Sequence, residues 1–432
     1  MHSDGSAPAG RSEPVVVTGM GTILPRTHNV RDFWNHLSTG TSQVGPLTRF
    51  DSAAHGLPVH AAAQLGEFDH RPHLPDLPDS HARKYTREIL VVMSAISSAL
   101  RDAGLGKGDV PPHRLGIVQS SSRGPLSWWR ETLHTPDPTA PGGPFGDSGA
   151  MFRGLPGCPA TMAAIHVQAQ GLVTTVSSAC VGGHHAIGLA LRELRSGNAD
   201  VVLAGGHEFP ILPEVARCYL ALGDGVLSPE RDAPHRAVRP YDRDRAGFAL
   251  GEGAVTLCLE RESTARARGA RVYARILGHK AMNEAAHGTS MDLTGKVTAG
   301  AMADLLTEVG RDRDQLGYIC GHGTATRYND LAESRALRAL YPGRDDGELP
   351  PHGSNKPIYG HTFGMAGAIN VAATSLMLHH QRLAPTANVV NPDPECDTDH
   401  VAEGPRDAEL DLALSMSFAF GSQTSLMALE RA

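Results

Sequence analysis

Alternation constrains this chain more than any other feature: short runs of β-branched and apolar residues repeatedly give way to stretches with helical spacing. Pro14 to Gly19 (Pro-Val-Val-Val-Thr-Gly) reads as a buried strand, and Val30 to Leu37 opens a helix with Phe33, Trp34 and Leu37 on one face. Thr86 to Ala103 has helical spacing and Arg114 to Ser120 reads as a strand. Ser122 to Pro156 is a long Gly- and Pro-rich excursion of the kind that is usually functional. Two strand-turn-helix units of similar design follow. In the first, the strand Val173 to Ser178 runs to Cys180, a helix covers Val181 to Arg195, Gly197 ends it, and Asp200 to Gly205 is a buried strand. In the second, strands at Arg271 to Leu277 and Tyr318 to Gly321 precede a small-residue helix over Gly364 to His380. Ala413 to Phe420 supplies a last strand or strand-loop.

Such alternation predicts an α/β fold with sheets covered on both faces. The near-repetition predicts two related halves, 13–262 and 263–432, dividing near Glu262 behind a loose tail over 1–12. Gly19-Met20-Gly21 follows the first strand, but Ile23-Leu24-Pro25 stands where a dinucleotide fold would need a third glycine and a helix, so these glycines are assigned to a turn.

Composition removes several function classes. With 41% hydrophobic residues in 432, the chain can build a real core, and a net charge of -7 spread without runs gives no footprint for nucleic acid. The first dozen residues lack the pattern of a secretory signal, and the apolar stretches are too short or broken to span a bilayer. Six cysteines without a CxxC pair predict neither a disulfide framework nor a zinc site, so a soluble, cytoplasmic protein is expected.

Three motifs carry chemistry. In Ser177-Ser178-Ala179-Cys180-Val181-Gly182-Gly183-His184 a cysteine sits where a strand enters a helix. Orphan N–H groups and the helix dipole there favour thiolate and can hold an oxyanion. A buried structural cysteine is the alternative for that position. Cys218, Cys258 and Cys320 read as core residues from their apolar surroundings. Tyr318-Ile319-Cys320-Gly321-His322-Gly323-Thr324-Ala325-Thr326 and Lys356-Pro357-Ile358-Tyr359-Gly360-His361-Thr362-Phe363-Gly364-Met365-Ala366-Gly367 each present a histidine between small residues that strip away side-chain cover.

An Ala-Cys followed by small residues and His, then His-Gly-Thr-x-Thr with Asp and Glu downstream, then Lys-x-x-x-Gly-His-x-x-Gly-x-x-Gly, in that order, resembles the β-ketoacyl-(acyl carrier protein) synthases. Supporting matches run from Val15-Val16-Val17-Thr18-Gly19 through Ala204-Gly205-Gly206, Arg239-Pro240-Tyr241-Asp242 and Gly251-Glu252-Gly253, so the resemblance spans about 13 to 431. It implies a thiolase fold: a five-layered αβαβα sandwich of two pseudo-equivalent halves, as a homodimer or as a heterodimer with a related subunit. It implies Cys180 as the acylated nucleophile, His322 and His361 as the pair acting on a malonyl extender, and Lys356 as the family lysine. Asp330 and Glu333 match the acidic residues of the histidine loop. For Lys356, Asp330 and Glu333 a structural ion-pair network is as good a reading as a chemical role. The substrates would arrive on the phosphopantetheine of an acyl carrier protein, with no metal or redox cofactor. An oxyanion would be held by backbone N–H groups at Cys180 and near Phe420.

Departures from the family pattern fall around the pocket. The family's terminal Asn-Ser-Phe-Gly-Phe-Gly-Gly-x-Asn is here Met416-Ser417-Phe418-Ala419-Phe420-Gly421-Ser422-Gln423-Thr424, keeping Phe418, Phe420 and Gly421 for gating and oxyanion duty. Added Cβ atoms limit positive φ and fill space, which predicts altered gating. Gln119-Ser120-Ser121-Ser122-Arg123 replaces a Gly/Thr-rich turn, and Gly223-Asp224-Gly225-Val226 reads as an insertion. Both fit a specialised polyketide or lipid-tailoring synthase. Two other functions stay open: an acyltransferase that passes the acyl group to an amine or alcohol without decarboxylation, and a non-catalytic partner like a chain-length factor. A papain-like protease lacks its signatures here.

Overall fold

The computed structural model describes residues 13–141, 143–146, 148–285 and 287–432; the expected tail over 1–12 lies outside them. Ten strands form one continuous sheet: β1 Val15–Ile23, β2 Leu115–Ser120, β3 Val173–Val176, β4 Val201–Glu208, β5 Gly253–Arg261, β6 Ala274–Asn283, β7 Leu316–Cys320, β8 His352–Gly353, β9 Leu412–Ala419 and β10 Gln423–Glu430. Nine helices matter to the site and its support: α1 Val30–Thr39, α2 Arg87–Asp102, α3 Leu126–Leu133, α4 Cys158–Val167, α5 Gly182–Arg195, α6 Pro213–Leu220, α7 Lys296–Glu308, α8 Arg327–Leu340 and α9 Ala366–His380.

The spatial order is β3-β2-β4-β5-β1 followed by β6-β10-β9-β7-β8. Each set of five therefore has the same connectivity, counted outward from the middle as first, fifth, fourth, second and third strand. The pairing senses match too: the outer three strands of each set are parallel, and the other two are antiparallel additions. The sets meet where Val15 to Val17 of β1 pair with Ile276 to Ala274 of β6.

Packing sets the layers. Helices α2 and α4 bury their apolar faces on one side of the first set, and α7 and α8 do so on one side of the second. Between the sets lie α5 and α9, joined in one core with both. The result is the α/β sandwich of five layers that the family resemblance implies. Position explains composition: Ala366 to Leu378 are all buried, so α9 is built there from small and apolar residues, with Asn370 donating to the Gly321 and Met416 carbonyls. Each fully buried Leu, Ile or Val side chain contributes roughly 1.5–3 kcal/mol, and the middle layer collects them from both sheets.

Local signals set the ends. Thr86 caps α2, its side chain accepting from the N–H of Ile89, and Asn29 caps α1 by accepting from Asp32, with Gly40 closing α1 at φ 67°. Other expectations need correction. Gly19 and Gly21 form no turn; they lie inside β1, where a Cβ on Gly21 would stand 1.9 Å from the Ala95 carbonyl oxygen and one on Gly19 2.3 Å from that of Ala99. They let α2 lie directly on the strand. The excursion from Ser122 to Pro156 contains α3 and a helical turn at Ala150–Arg153. Cys218 is exposed, because α6 buries Val215, Ala216 and Tyr219 and leaves position 218 off that stripe. The C-terminal segment is a hairpin of β9 and β10, so Met416 and Thr424 belong to paired strands and only the short stretch around Phe420 to Ser422 turns.

Candidate functional site

The chain leaves β3 and reverses sharply before α5. Ala179 takes φ 46°, a left-handed conformation costly for a residue with a Cβ, and Cys180 follows it at the head of the helix. Gly182 lets this turn close: a Cβ there would meet Ser120 Oγ at 2.1 Å. His322 comes from the loop after β7, while Lys356 and His361 come from the segment between β8 and α9. Together the two halves bring Cys180 Sγ and one ring nitrogen from each of His322 and His361 within 4.8 Å of one another. The two imidazoles cross edge to face, centroids 5.1 Å apart at 82°.

Outer hydrogen bonds assign the tautomers. The Lys356 ammonium, which can only donate, reaches His322 Nδ1 at 3.3 Å and also the His322 carbonyl. The Phe363 N–H donates to His361 Nδ1 at 3.3 Å. Both Nδ1 atoms are thus acceptors, leaving an Nε2–H donor on each ring. Burial, reinforced by the Lys356 charge, holds both histidines well below the usual range, so both are neutral. Burial also lowers Lys356 to about 8, with Glu333 pulling the other way.

The same outer shell bears on metal. One sulfur and two imidazoles at this spacing have the makings of a tripod, but a metal-bound imidazole normally donates outward from its second nitrogen. Here both Nδ1 atoms accept a hydrogen bond, and an ammonium is the donor to that of His322. The trio is arranged to donate hydrogen bonds to an oxygen.

Cys180 departs from one expectation. It is only 6% exposed, and burial pushes its thiol up to about 12, with Lys356 and Arg123 opposing this without overcoming it. Dehydration of the sulfur outweighs the favourable helix start, so the resting group is the thiol.

Asp330 and Glu333 stand behind the histidine loop and shape it. Glu333 accepts from the Gly323 N–H at 2.8 Å, Asn329 Nδ2 at 2.6 Å, the Tyr241 hydroxyl at 2.9 Å and His352 Nε2 at 3.1 Å. Asp330 accepts from the Thr324 N–H at 3.0 Å and the Tyr241 N–H at 2.9 Å, with Arg245 at 3.7 Å. Burial raises Asp330 to about 6. Each carboxylate thus holds one backbone N–H of the loop that presents His322, Gly323 for Glu333 and Thr324 for Asp330, and ties it to Tyr241.

Phe418 is buried and meets the His322 ring edge on at 6.1 Å. Phe420 is 42% exposed and stacks at 6.2 Å on Tyr219. The Gly421 N–H donates to the Gly288 carbonyl at 2.8 Å, which removes it from oxyanion duty. Ser422 keeps φ 57° despite its Cβ because its hydroxyl donates to the His287 carbonyl at 2.6 Å and accepts from the His287 N–H at 3.0 Å. The turn keeps its shape by side-chain hydrogen bonding.

Four neighbours escape the motif reading. Phe363, at φ 44°, stacks on His361 at 4.5 Å and on Tyr219 at 5.1 Å. The buried Glu208 accepts from the N–H groups of Ser122 at 2.8 Å and Gly364 at 2.9 Å, tying the two halves together below the site. Arg123 lies over the Phe363 and Tyr219 rings, 4.6 and 5.3 Å from their centroids. Only Glu208 had a visible signal, a charge ending an apolar run; the others converge through tertiary packing alone.

Comparison with known proteins agrees with this geometry. Residues 12–265 match the model for the β-ketoacyl synthase N-terminal domain and residues 273–390 that for the C-terminal domain. The granaticin polyketide putative β-ketoacyl synthase 1 of Streptomyces violaceoruber is 33% identical over 96% of this chain and 98% of its own. The 3-oxoacyl-[acyl-carrier-protein] synthase 2 of Coxiella burnetii is 32% identical over 96% and 98%. Two solved structures superpose with a TM-score of 0.86 at 28% identity, over 98% of this chain and 100% of theirs. One is the ishigamide ketosynthase/chain length factor. The other is a type II polyketide acyl-carrier protein in complex with its ketosynthase bound to the hexaketide.

Proposed function

The chain belongs to the β-ketoacyl synthase family, and from that premise we propose how its own residues divide the reaction. It is an acyltransferase that accepts an acyl group from an acyl carrier protein and extends it by decarboxylative condensation with a malonyl-carrier thioester. In our reading Cys180 Sγ attacks the incoming thioester: the Sγ–C bond forms, the carrier's C–S bond breaks, and the cysteine proton ends on the carrier sulfur. The sulfur loses its proton only as it attacks.

The malonyl thioester then meets the two Nε2–H donors. As its C–C bond to the carboxylate breaks and CO2 departs, the electron pair becomes an enolate, and His322 and His361 hydrogen-bond the developing oxyanion in a site from which water is largely excluded. The enolate carbon attacks the acyl-Cys180 carbonyl, whose oxygen is held by the backbone N–H groups of Cys180 and Phe420. A C–C bond forms, the bond to Sγ breaks, and the released thiolate takes a proton from solvent to restore the Cys180 thiol. Lys356 keeps His322 in the donating tautomer, and Asp330 with Glu333 fixes the loop. Phe418 and Phe420 gate entry. No step calls for a metal or redox cofactor; the phosphopantetheine is the arm of the substrate.

One observation carries the reading: beside Cys180 both imidazoles have Nδ1 taken by an outside donor, which leaves each neutral ring an Nε2–H to give. That suits enolate stabilisation. Its partners are an acyl carrier protein and a second ketosynthase-type subunit, identical or related. Exposed apolar side chains beside the free edge strand β3, Leu172 just before it and Ile165 on the helix packed against it, support a subunit contact there. We place the division into halves near Glu262, between β5 and β6. No helix among the described residues is long and apolar enough to cross a membrane, and the six cysteines are free, which fits a reducing cytoplasm.

The test is release of labelled CO2 from malonyl-carrier protein by acylated enzyme. Release is expected. Its absence with acyl-Cys180 present would overturn elongation and leave acyl transfer alone.

A further inference from the structure

Arg123, supplied by the first half of the chain, stands on the nucleophile's side of the site, and it makes no direct ion pair among the described residues, though its charge is felt by the buried Glu208. The guanidinium is half-buried, donates to Ser122 Oγ at 2.7 Å and to the Tyr219 hydroxyl, and lies across the faces of Phe363 and Tyr219. No carboxylate among the described residues comes within ion-pair distance of it. The nearby Glu208 is occupied by the N–H groups of Ser122 and Gly364. The surroundings are otherwise apolar: Cys180, Tyr219, Phe248 and Phe363 belong to one hydrophobic cluster.

A guanidinium in such a place is unusual. Cation–π contact offsets part of the cost of removing it from water, and the remaining N–H groups, fixed in a planar fork, bond no protein acceptor and stay open to solvent, which an acyl chain filling the site would displace. A purely hydrocarbon acyl chain would leave them without an acceptor. An acyl group carrying an oxygen a few carbons from its thioester would satisfy them.

Resting on the reading of Cys180 as the acyl acceptor, we propose that Arg123 determines acyl specificity, selecting an acyl group that bears a hydrogen-bond-accepting oxygen along or at the end of its chain. That oxygen is either a keto oxygen or a terminal carboxylate; both present the same acceptor chemistry to the fork. Tyr219 and Phe363, which share a cluster with Cys180, hold the guanidinium over their ring faces. Loading itself is unchanged: thioester exchange at Cys180, with its proton transferred to the carrier sulfur. Only the choice of acyl group depends on Arg123.

The experiment measures the rate of acyl-Cys180 formation by intact mass, with hexanoyl, 3-oxohexanoyl and adipoyl groups on a type II polyketide carrier protein. Wild type is expected to load one oxygenated group about ten- to hundredfold faster than hexanoyl, the range of a charge-assisted hydrogen bond in a partly buried site. Faster 3-oxohexanoyl loading identifies the keto oxygen, and faster adipoyl loading the carboxylate. Arg123→Met should abolish the preference while loading hexanoyl at least as well, and Arg123→Lys should retain part of it. Circular dichroism melts on both variants verify folding, and the Lys variant decides the matter if the Met variant does not fold. Equal or faster hexanoyl loading by wild type would overturn the proposal, as would a uniform acceleration of all three groups in Arg123→Met, the mark of a steric plug. If wild type forms no acyl-Cys180 from any of them, the assignment of Cys180 falls, and this proposal with it.

Discussion

The two halves share one connectivity and, in the proposed reaction, put it to opposite chemistry. Cys180 follows the third strand of the first half into a middle-layer helix; Lys356 and His361 follow the third strand of the second half into the other. His322 follows the second strand of its half, and Ser122 and Arg123 stand at the corresponding place in the first. Around Cys180 the lining is aliphatic and aromatic. Around His322 it is a fully buried polar network of Tyr241, Asp330, Glu333, His352 and Lys356. The difference teaches that the scaffold supplies positions only. An apolar lining suits a thioester carbon that must be reached without water, and a polar network suits charge that appears during a reaction and must be met by fixed donors.

Exchanging function between the halves is the strongest way to break this comparison. Cys180→Ala should remove acyl-enzyme formation altogether, by intact mass, and lower condensation by roughly 10³-fold or more. His361→Asn should leave loading nearly intact and lower CO2 release from malonyl-carrier protein by about 10²–10³-fold, the usual worth of one oxyanion donor. Equal loss of loading in both would show that the halves do not divide the work.

A smaller effect is expected behind the histidine loop. Glu333→Gln loses the charge that holds the Gly323 N–H and places an amide against the Tyr241 hydroxyl and His352. We expect a destabilisation of about 2–4 kcal/mol in denaturant melts and a fall in kcat exceeding any rise in KM, because a positioning residue has been lost.

The mildest test is pH. Lys356, lowered by burial to about 8, is charged at pH 7 and loses its proton as pH rises through 8. A neutral amine can accept from His322 Nδ1, which reverses the tautomer and costs the site one Nε2–H. CO2 release should therefore decline above pH 8, with loading less affected. Native stability should shift the other way between about 8 and 10.5, since the unfolded lysine still binds the proton that the native one has released. A decarboxylation rate flat through this window would detach Lys356 from His322.

Much of this was legible in the residues. The Val-rich strands, the capped α2 and the glycine-flanked Cys180, His322 and His361 follow from local pattern, because each is fixed by neighbours in sequence. What was not legible depends on distant contacts. Gly19 and Gly21 look like a turn until α2 is laid on them, and Cys218 looks apolar until the buried stripe of α6 is known. Phe363 and Arg123 acquire meaning only once α6 brings Tyr219 against both. The state of the Cys180 sulfur follows the same rule: a helix start is local, whereas dehydration is a property of everything packed around the sulfur.

That dehydration has a consequence for durability. Peroxides and soluble electrophiles attack cysteine as an exposed thiolate, and a sulfur that is buried and protonated at neutral pH presents neither property. Cys180 should idle through oxidative episodes that would modify a conventional reactive cysteine, becoming a nucleophile only when a tethered thioester is delivered to it.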